Sequence, residues 1–399
     1  MTPRPLRLVN ARVLGGGREL CVRDGVIVEA ADDGEVVDCR GKLLAPALFD
    51  VGVAAIDREA FRAGGVVRVG LMPDQSPVLD GPGIVQRSAL IGRPDLWIHP
   101  IAAATKGLRG EELSEFAFCA DAGALAIGTG RRWIADTGVM RRVLLYARDL
   151  GLPVIVHAED GGLVGDAVAT DGATASRLGL ASAPAIAEAL AVARDVMLAE
   201  ETGARVHFRV LTTARAFDLV RAAKARGVAV TCGTTPAHLY LSDIAVNDFR
   251  TFARLSPPLR GEADRQATRA AVADGTVDVL CSGHDPRGPE EKRLPFADAE
   301  PGAAGAQTLL ALGLGLVRDG ILNVERLFEL VAGNPARLFG VNSGVVTVGC
   351  PADLILIDEE APWQVVSDAL RGRAGNTPFD GMPVQGKVLR VWKGGRELA

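Results

Sequence analysis

The sequence predicts an α/β protein, a (β/α)8 barrel of the TIM type with a small β-sandwich domain formed by the N- and C-terminal segments. Strand-like and helix-like segments alternate through the middle of the chain, which is typical of a parallel sheet with crossover helices. Strand-like runs without helices lie at both ends. We therefore place a composite β domain at residues 1–47 and 343–399 and the barrel at residues 48–342.

The terminal segments carry strand and turn signals. Residues 6–14 are largely apolar, and Asp24-Gly25 is a hairpin signal between two β-branched runs. Strand-like runs near the C-terminus cover residues 345–348, 352–358 and 387–393. The run Gly15-Gly16-Gly17 precedes a strand rather than a helix, so it predicts a turn and not a nucleotide-binding loop.

The barrel prediction depends on eight candidate strands with helical patterns between them. The strands are residues 48–54, 66–71, 98–103, 124–128, 153–158, 205–210, 228–232 and 277–282. The clearest helical patterns are residues 111–121, 138–149, 183–201, 214–226 and 262–273. This number and alternation match a (β/α)8 barrel. A doubly wound open sheet is the alternative, but no glycine fingerprint supports it.

Composition narrows the class of protein. Of the 399 residues, 48% are hydrophobic and 23% are charged, as in soluble globular proteins. The net charge is −5 with both signs mixed and no basic stripe, so we expect no nucleic-acid partner. No apolar run approaches the ~18 residues of a membrane span, and the N-terminus lacks the apolar region of a signal peptide. We therefore expect a cytoplasmic protein without a membrane partner.

The six cysteines are scattered, and none form a Cys-x-x-Cys pair. Several lie in apolar runs, which predicts buried reduced thiols rather than a structural zinc site. Cys281, at the end of one such run, is expected to be inert. The sequence contains neither a Gly-x-Ser-x-Gly elbow nor a phosphate-binding Gly-x4-Gly-Lys-Ser/Thr.

In a barrel of this kind the functional residues lie where strands end at the C-terminal face. A hydrolytic metal site there needs about three to five His, Asp, Glu or Lys ligands. The first strand ends at Gly52 and Ala54, and the fourth ends at Gly128-Thr129-Gly130. The fifth ends in His157-Ala158-Glu159-Asp160, and the eighth ends in Ser282-Gly283-His284-Asp285. The potential ligands are therefore concentrated on the fifth and eighth strands.

The chain has five histidines, His99, His157, His207, His238 and His284. His207 lies early in its strand and is expected to pack inside the barrel, while His99 is expected to be structural or exposed. His238 lies in a proline-containing loop that we expect to line the mouth of the barrel. His157 with Glu159 or Asp160, and His284 with Asp285, remain as the pairs that a rebuilt metal site would use.

Several segments together resemble the dihydroorotases of the long bacterial type, within the amidohydrolase superfamily. The resemblance covers essentially the whole chain. Its motifs are residues 41–50, Gly64-Gly65 with Met72-Pro73-Asp74, Pro77 to Asp80, residues 105–113, His157-Ala158-Glu159-Asp160, Pro257-Pro258-Leu259-Arg260 and residues 376–381. Together they are highly specific for that family, and they imply its barrel fold.

The departures from the family pattern fall on functional positions. The resemblance implies a vestigial pocket at Gly52, Ala54, Ile56, Asp74, Thr129, His157, Val210, Ser256 and Gly283. Gly52 and Ala54 stand where the first strand of the family carries His-x-His, Val210 where the sixth strand carries a histidine, and Gly283 where the eighth carries the catalytic aspartate. Ile56, Asp74 and Ser256 replace a substrate-binding arginine and two asparagines, and Thr129 lies in the acidic ligand region. His157 is the metal ligand that the chain retains.

This pattern resembles the inactive dihydroorotase homologues that some bacteria carry beside a true dihydroorotase. The resemblance implies a non-catalytic protein of pyrimidine biosynthesis that supports aspartate transcarbamoylase in a mixed oligomer, with no cofactor and no catalytic residues.

Two alternatives remain open. One is an active dihydroorotase or related cyclic-amide hydrolase, with zinc at a rebuilt site of His157, Glu159, His284 and Asp285. The other is a small-molecule sensor in which Arg131, Arg132 and Arg209 bind an anion, although we expect these arginines to be surface or interhelical charges.

Overall fold

A computed structural model describes residues 4–31 and 33–398. The strands are β1 (Leu6–Val9), β2 (Arg12–Val13), β3 (Leu20–Arg23), β4 (Val26–Val28), β5 (Glu35–Asp38), β6 (Leu43–Pro46), β7 (Leu48–Val53), β8 (Val66–Leu71), β9 (Trp97–Ala103), β10 (Ala126–Gly128), β11 (Val154–Val156), β12 (Ala169–Thr170), β13 (Ser182–Ala183), β14 (Val206–Phe208), β15 (Val230–Thr234), β16 (Val279–Leu280), β17 (Leu354–Gln364), β18 (Pro383–Lys393) and β19 (Arg396–Glu397).

The α-helices are α1 (Arg58–Gly64), α2 (Pro82–Ile91), α3 (Phe116–Asp121), α4 (Thr137–Asp149), α5 (Gly161–Val164), α6 (Ala173–Leu178), α7 (Ile186–Thr202), α8 (Ala214–Ala225), α9 (Pro236–Tyr240), α10 (Glu262–Ala273), α11 (Pro289–Lys292), α12 (Leu309–Arg318), α13 (Val324–Phe328) and α14 (Asn334–Phe339). A π-helical turn (Glu329–Gly333) joins the last two.

The central sheet is an eight-stranded parallel barrel. Its strand order is β16-β15-β14-β11-β10-β9-β8-β7, which follows the chain around the ring. One apolar cluster, including Phe49, Ile101 and Ile155, fills the inside of the barrel, while a larger cluster lies between the strands and the surrounding helices. The predicted (β/α)8 barrel is confirmed.

The first and last strands of the barrel are linked by a buried side chain. The Asp50 carboxylate on β7 accepts hydrogen bonds from the Ser282 backbone N–H, at 2.9 Å, and from the Ser282 hydroxyl, just after β16. Nearby, the Ala54 N–H donates to the His284 carbonyl at 3.0 Å. These bonds hold the two strands together at the end of the barrel where the pocket opens.

Two further sheets form the predicted β-sandwich domain from both termini. One sheet has the order β4-β3-β1-β5, and the other has the order β19-β18-β17-β6-β2. Leu8 and Val22 from the first sheet pack with Leu44, Leu354 and Trp392 from the second in one buried cluster. The domain is therefore composite, as expected, while its limits at residues 47 and 343 stay a prediction.

Two predicted helices are shorter than expected. The pattern at residues 111–121 yields only α3, because Leu113 instead forms a β-bridge with Thr105. The pattern at residues 183–201 yields α7 from Ile186 onward, because Ala183 pairs with Thr170 in a short two-stranded sheet. Within residues 4–31 and 33–398, no helix is long and apolar enough to cross a membrane.

Candidate functional site

The C-terminal ends of the barrel strands surround a cavity of about 50 Å³. Its lining residues are Gly52, Ala54, Met72, Arg131, Arg209, Val210, Thr235, Ala237, His238, Leu255, Ser256, Ser282, Gly283, His284, Asp285, Pro301, Gly302 and Ala303. The cavity lies at the face where barrel enzymes place their active sites. It brings together Gly52, Ala54, Val210, Ser256 and Gly283 of the expected vestigial pocket, together with two arginines.

Arg209 occupies the space beside the first barrel strand. It is only 7% exposed, and its Cδ and Cγ atoms lie 2.8 Å and 3.1 Å from where a Cβ atom on Gly52 would stand. Gly52 also has φ +81°, a backbone conformation that favours glycine. The expectation that Arg209 is a surface or interhelical charge is wrong. Side chains alternate along a strand, so Arg209 shares the inward direction of His207.

The guanidinium of Arg209 has no partner among the described residues. Its Nε is buried without a hydrogen bond, and the side chain makes no ion pair within residues 4–31 and 33–398. Burial lowers the pKa of Arg209, while the nearby charges of Asp74 and Asp285 act in the opposite direction. A buried guanidinium without a partner is unusual, because desolvating a charge is costly unless hydrogen bonds replace its water.

Arg131 lies at the mouth of the cavity and binds two acidic residues. Its Nη1 lies 2.5 Å from Asp285 Oδ2, and its backbone N–H donates to Asp74 Oδ1 at 3.0 Å. Asp285 also pairs with Arg287, at 3.0 Å. The carboxylate of Asp285 is therefore held by two arginines. The neighbouring Arg132 is exposed, as expected for a surface charge.

His157 and Glu159 belong to a buried polar network at the end of β11. The Nε2 of His157 lies 3.2 Å from Glu159 Oε2, and Arg260 donates to Glu159 Oε1 at 2.7 Å. Arg260 also lies 3.5 Å from Glu188. Burial raises the pKa of Glu159, but the hydrogen bonds and charges of His157 and Arg260 outweigh it and lower the pKa to about 2. Glu159 is therefore an ionised partner of Arg260.

His284 is engaged on the other side of the cavity. Its Nδ1 accepts a hydrogen bond from the Ala306 N–H at 3.3 Å, and its Nε2 lies 3.7 Å from Asp57 Oδ2. The imidazole also packs on Phe61, with ring centroids 5.2 Å apart. Burial raises the pKa of Asp57, but the nearby His284 imidazole and a hydrogen bond from the Arg373 backbone N–H at 2.7 Å leave it lowered.

The structure does not bring the four residues of the alternative metal site together. His157 interacts with Glu159, which also binds Arg260, whereas His284 and Asp285 have separate partners. Within the part of the chain that the structure describes, no three His, Cys, Asp or Glu side chains form a group that could hold a metal ion. The residues at this face therefore do not fit the metal centre that a hydrolytic site requires.

The remaining vestigial positions have identifiable structural roles. Thr129 Oγ1 accepts a hydrogen bond from the His157 N–H at 3.1 Å, and Val210 is buried in the apolar interior of the barrel. Gly283 has φ +64°, and a Cβ atom there would lie 3.2 Å from Thr235 Cγ2. Ser256 is exposed at the rim, and Ile56 is half-buried against the outer core.

The other three histidines are neutral packing residues. His238 lines the cavity, as expected, donates its Nε2–H to the Pro257 carbonyl at 3.1 Å and accepts the Thr235 hydroxyl proton at Nδ1. His207 is buried against Thr231, at 2.8 Å, and His99 packs between aromatic rings. Burial lowers the pKa of His238 to about 4 and those of His207 and His99 to about 3.

Sequence reasoning missed the roles of Asp50 and Arg260 and misplaced Arg209. The inward position of Arg209 was signalled by its two-residue spacing from His207, the residue expected inside the barrel. No local signal indicates that Asp50 joins the ends of the barrel, because its partner Ser282 is distant in the sequence.

Comparisons with known proteins agree with the fold and the segments described above. The sequence pattern of the amidohydrolase family matches residues 98–398. Dihydroorotase from Syntrophotalea carbinolica is 38% identical over 98% of this chain and 97% of its own length. Dihydroorotase from Citrifermentans bemidjiense is 36% identical over 94% of each chain.

The solved structures that resemble the chain share its fold. L-hydantoinase from Arthrobacter aurescens superposes with a TM-score of 0.87, at 22% identity, over 100% of this chain and 96% of that enzyme. The fold and sequence define an amidohydrolase-type barrel protein. Within that class, the chain belongs to the dihydroorotase family.

Proposed function

We propose that this chain is a non-catalytic dihydroorotase-like protein of pyrimidine biosynthesis that acts as a structural or activating partner of aspartate transcarbamoylase. The observation that carries the proposal is the position of Arg209, whose stem fills the space beside Gly52. A side chain at position 52 and the present position of Arg209 exclude each other. The packing of the barrel around Arg209 therefore disfavours a metal-binding side chain at position 52.

Charge supports the same proposal. A guanidinium stays protonated under all ordinary conditions, and a cation inside the cavity repels a divalent metal ion. Gly52, Ala54, Val210 and Gly283 offer no side-chain atom that binds zinc. Without bound metal, water is not ionised near neutral pH for attack on a cyclic amide.

The partner role follows from the family resemblance and needs a direct test. The experiment is co-expression of the full chain with aspartate transcarbamoylase from the same organism, followed by size analysis and assay of the transcarbamoylase. We expect a mixed complex that is larger than either protein alone and a transcarbamoylase that is more stable or more active within it. Separate elution of both proteins at micromolar concentrations, with unchanged transcarbamoylase activity, would contradict the partner role.

An active dihydroorotase is the second candidate, and the relatives named above favour it. Two dihydroorotases share 36–38% identity with this chain over nearly its whole length. This candidate requires His157 and His284 to leave their present partners and bind metal. Elemental analysis of the purified protein distinguishes the active enzyme from the non-catalytic protein. Near-stoichiometric zinc that is lost in His157→Ala supports the enzyme. The absence of bound zinc supports the non-catalytic protein.

A further inference from the structure

We infer that the cavity at the C-terminal face of the barrel binds a small carboxylate anion and that Arg209 is its main contact. This site does not rest on the partner role proposed above. It can be tested on the isolated chain, and it would stand even if no transcarbamoylase complex forms.

The first observation is the unmet hydrogen-bonding capacity of Arg209. A guanidinium has five N–H donors, and none makes a hydrogen bond to a described residue. The side chain is 7% exposed, so bulk water does not surround it. Its guanidinium lies at the wall of the cavity, where a bound anion would supply the missing acceptors.

The acidic residues nearby are already committed elsewhere. Asp285 binds Arg131 and Arg287, and Asp74 accepts the backbone N–H of Arg131. Asp74 Oδ2 is buried without a hydrogen bond, yet no Asp74 oxygen lies within ion-pair distance of Arg209. The carboxylate of Asp74 therefore lies near Arg209 without forming an ion pair with its guanidinium.

Geometry and volume favour a carboxylate. A guanidinium matches a planar carboxylate through two parallel hydrogen bonds. A single water needs roughly 10–15 Å³ of this kind of cavity volume. The cavity of about 50 Å³ therefore accommodates a ligand with about four non-hydrogen atoms. Acetate has that size, and Ala54 and Met72 provide apolar surface for its methyl group.

This site differs from the substrate position that the family resemblance implies. The family resemblance implies a substrate-binding arginine and asparagine at the positions that Ile56 and Asp74 occupy in this chain. Arg209 approaches from β14 instead and occupies the space left open by Gly52. The carboxylate site is therefore specific to the sequence changes in this chain.

The test is a titration of the purified full-length chain with sodium acetate, against sodium chloride at equal ionic strength, followed by calorimetry and thermal unfolding. We expect acetate, but not chloride, to raise the melting temperature in a saturable way. Arg209→Met should fold, because Met retains the apolar stem and removes an unpaired buried charge, and it should bind acetate at least about tenfold more weakly.

Two further variants make the titration specific. Arg132→Gln removes an exposed arginine near the cavity mouth and should leave acetate binding unchanged. Asp74→Asn removes the negative charge that competes with the ligand and should bind acetate as tightly or several-fold more tightly. Equal binding by wild type and Arg209→Met, binding of phosphate in preference to acetate, or no binding at millimolar acetate would each overturn the inference.

Discussion

Gly52 and Arg209 occupy adjoining space inside the barrel, and each restricts what the other position can hold. A Cβ atom at position 52 would lie 2.8 Å from Arg209 Cδ, which is shorter than a normal carbon–carbon contact. The φ of +81° at Gly52 adds a separate backbone restriction. A change at either residue must therefore be interpreted together with the other.

Gly52→Ala should destabilise the protein through two separable effects. Backbone strain at positive φ costs about 1–2 kcal/mol, and overpacking against Arg209 costs a further 1–3 kcal/mol or so. Gly41→Ala is the matched control, because Gly41 has φ +73° but would place its Cβ in open space. Urea unfolding of Gly52→Ala, Arg209→Ala and the double variant should show that Arg209→Ala relieves only the overpacking. Strictly additive effects would contradict a steric link.

Glu159 should make stability depend on pH in the acid range. Its pKa is lowered from 4.5 to about 2 in the folded protein, so its contribution is complete above pH 4.5 and is lost as the pH falls towards 2. That difference corresponds to roughly 3 kcal/mol. Glu159→Gln should be less stable than wild type at pH 7 by about this amount, and the gap should narrow in urea unfolding below pH 4.5.

The exposed Glu262 provides a control for this acid dependence. Hydrogen bonds from Arg265 and Gln266 also lower the pKa of Glu262 to about 2, but solvent and salt screen its interactions. Glu262→Gln should change the pH dependence of stability much less than Glu159→Gln. An equal effect of the two variants would show that the buried network around Arg260 does not control acid stability.

At the scale of elements, β7 is joined to the segment that follows β16 by the contact between Asp50 and Ser282. The Asp50 carboxylate accepts both the backbone N–H and the hydroxyl of Ser282. Burial raises the pKa of Asp50, although both bonds from Ser282 oppose that shift. The same segments carry Gly52, Gly283 and His284, so this contact also fixes the shape of the cavity.

Asp50→Ala should weaken the closure of the barrel and destabilise the protein by about 3 kcal/mol or more, because it leaves a buried N–H without an acceptor. Ser282→Ala keeps the backbone bond to Asp50 but removes the hydroxyl, which donates to Asp50 and accepts the His284 N–H at 2.9 Å, so it should cost about 1–3 kcal/mol. Hydrogen exchange at the Ser282 amide should accelerate in Asp50→Ala beyond the change expected from global stability. Unchanged local exchange would show that other contacts close the barrel.

The elements were largely predictable from the sequence, whereas the direction of several side chains at their ends was not. Apolar runs such as Val66–Leu71 and the amphipathic Glu262–Ala273 were predicted with the observed bounds, because burial on both faces or on one face leaves a periodic pattern. The predicted helix at residues 111–121 was too long, because Leu113 pairs with Thr105 in the same connection between β9 and α3. A single β-bridge of this kind leaves no periodic pattern in the sequence.

The candidate site illustrates the same limit. The absence of ligands at Gly52, Ala54, Val210 and Gly283 was visible in the sequence. The spacing from His207 indicates only that Arg209 points inward, and it does not indicate that the side chain fills the space beside Gly52. The proximity of Arg209 to Gly52 becomes visible only in the folded barrel.

At the scale of the whole molecule, the amidohydrolase barrel and its β-sandwich domain are both formed. The barrel interior is apolar and buried, and the composite domain has its own core. This architecture surrounds a cavity whose lining includes the charged residues Arg131, Arg209 and Asp285. This combination suits a protein whose outer surface, rather than its barrel centre, carries the function proposed above.

The most direct test is an assay of the purified protein for interconversion of carbamoyl aspartate and dihydroorotate, with and without added zinc. We predict no turnover above the background of a mock purification under either condition, because Arg209 fills the space beside Gly52. Zinc-dependent turnover that is abolished by His157→Ala and retained in the neighbouring surface variant Arg132→Gln would contradict it.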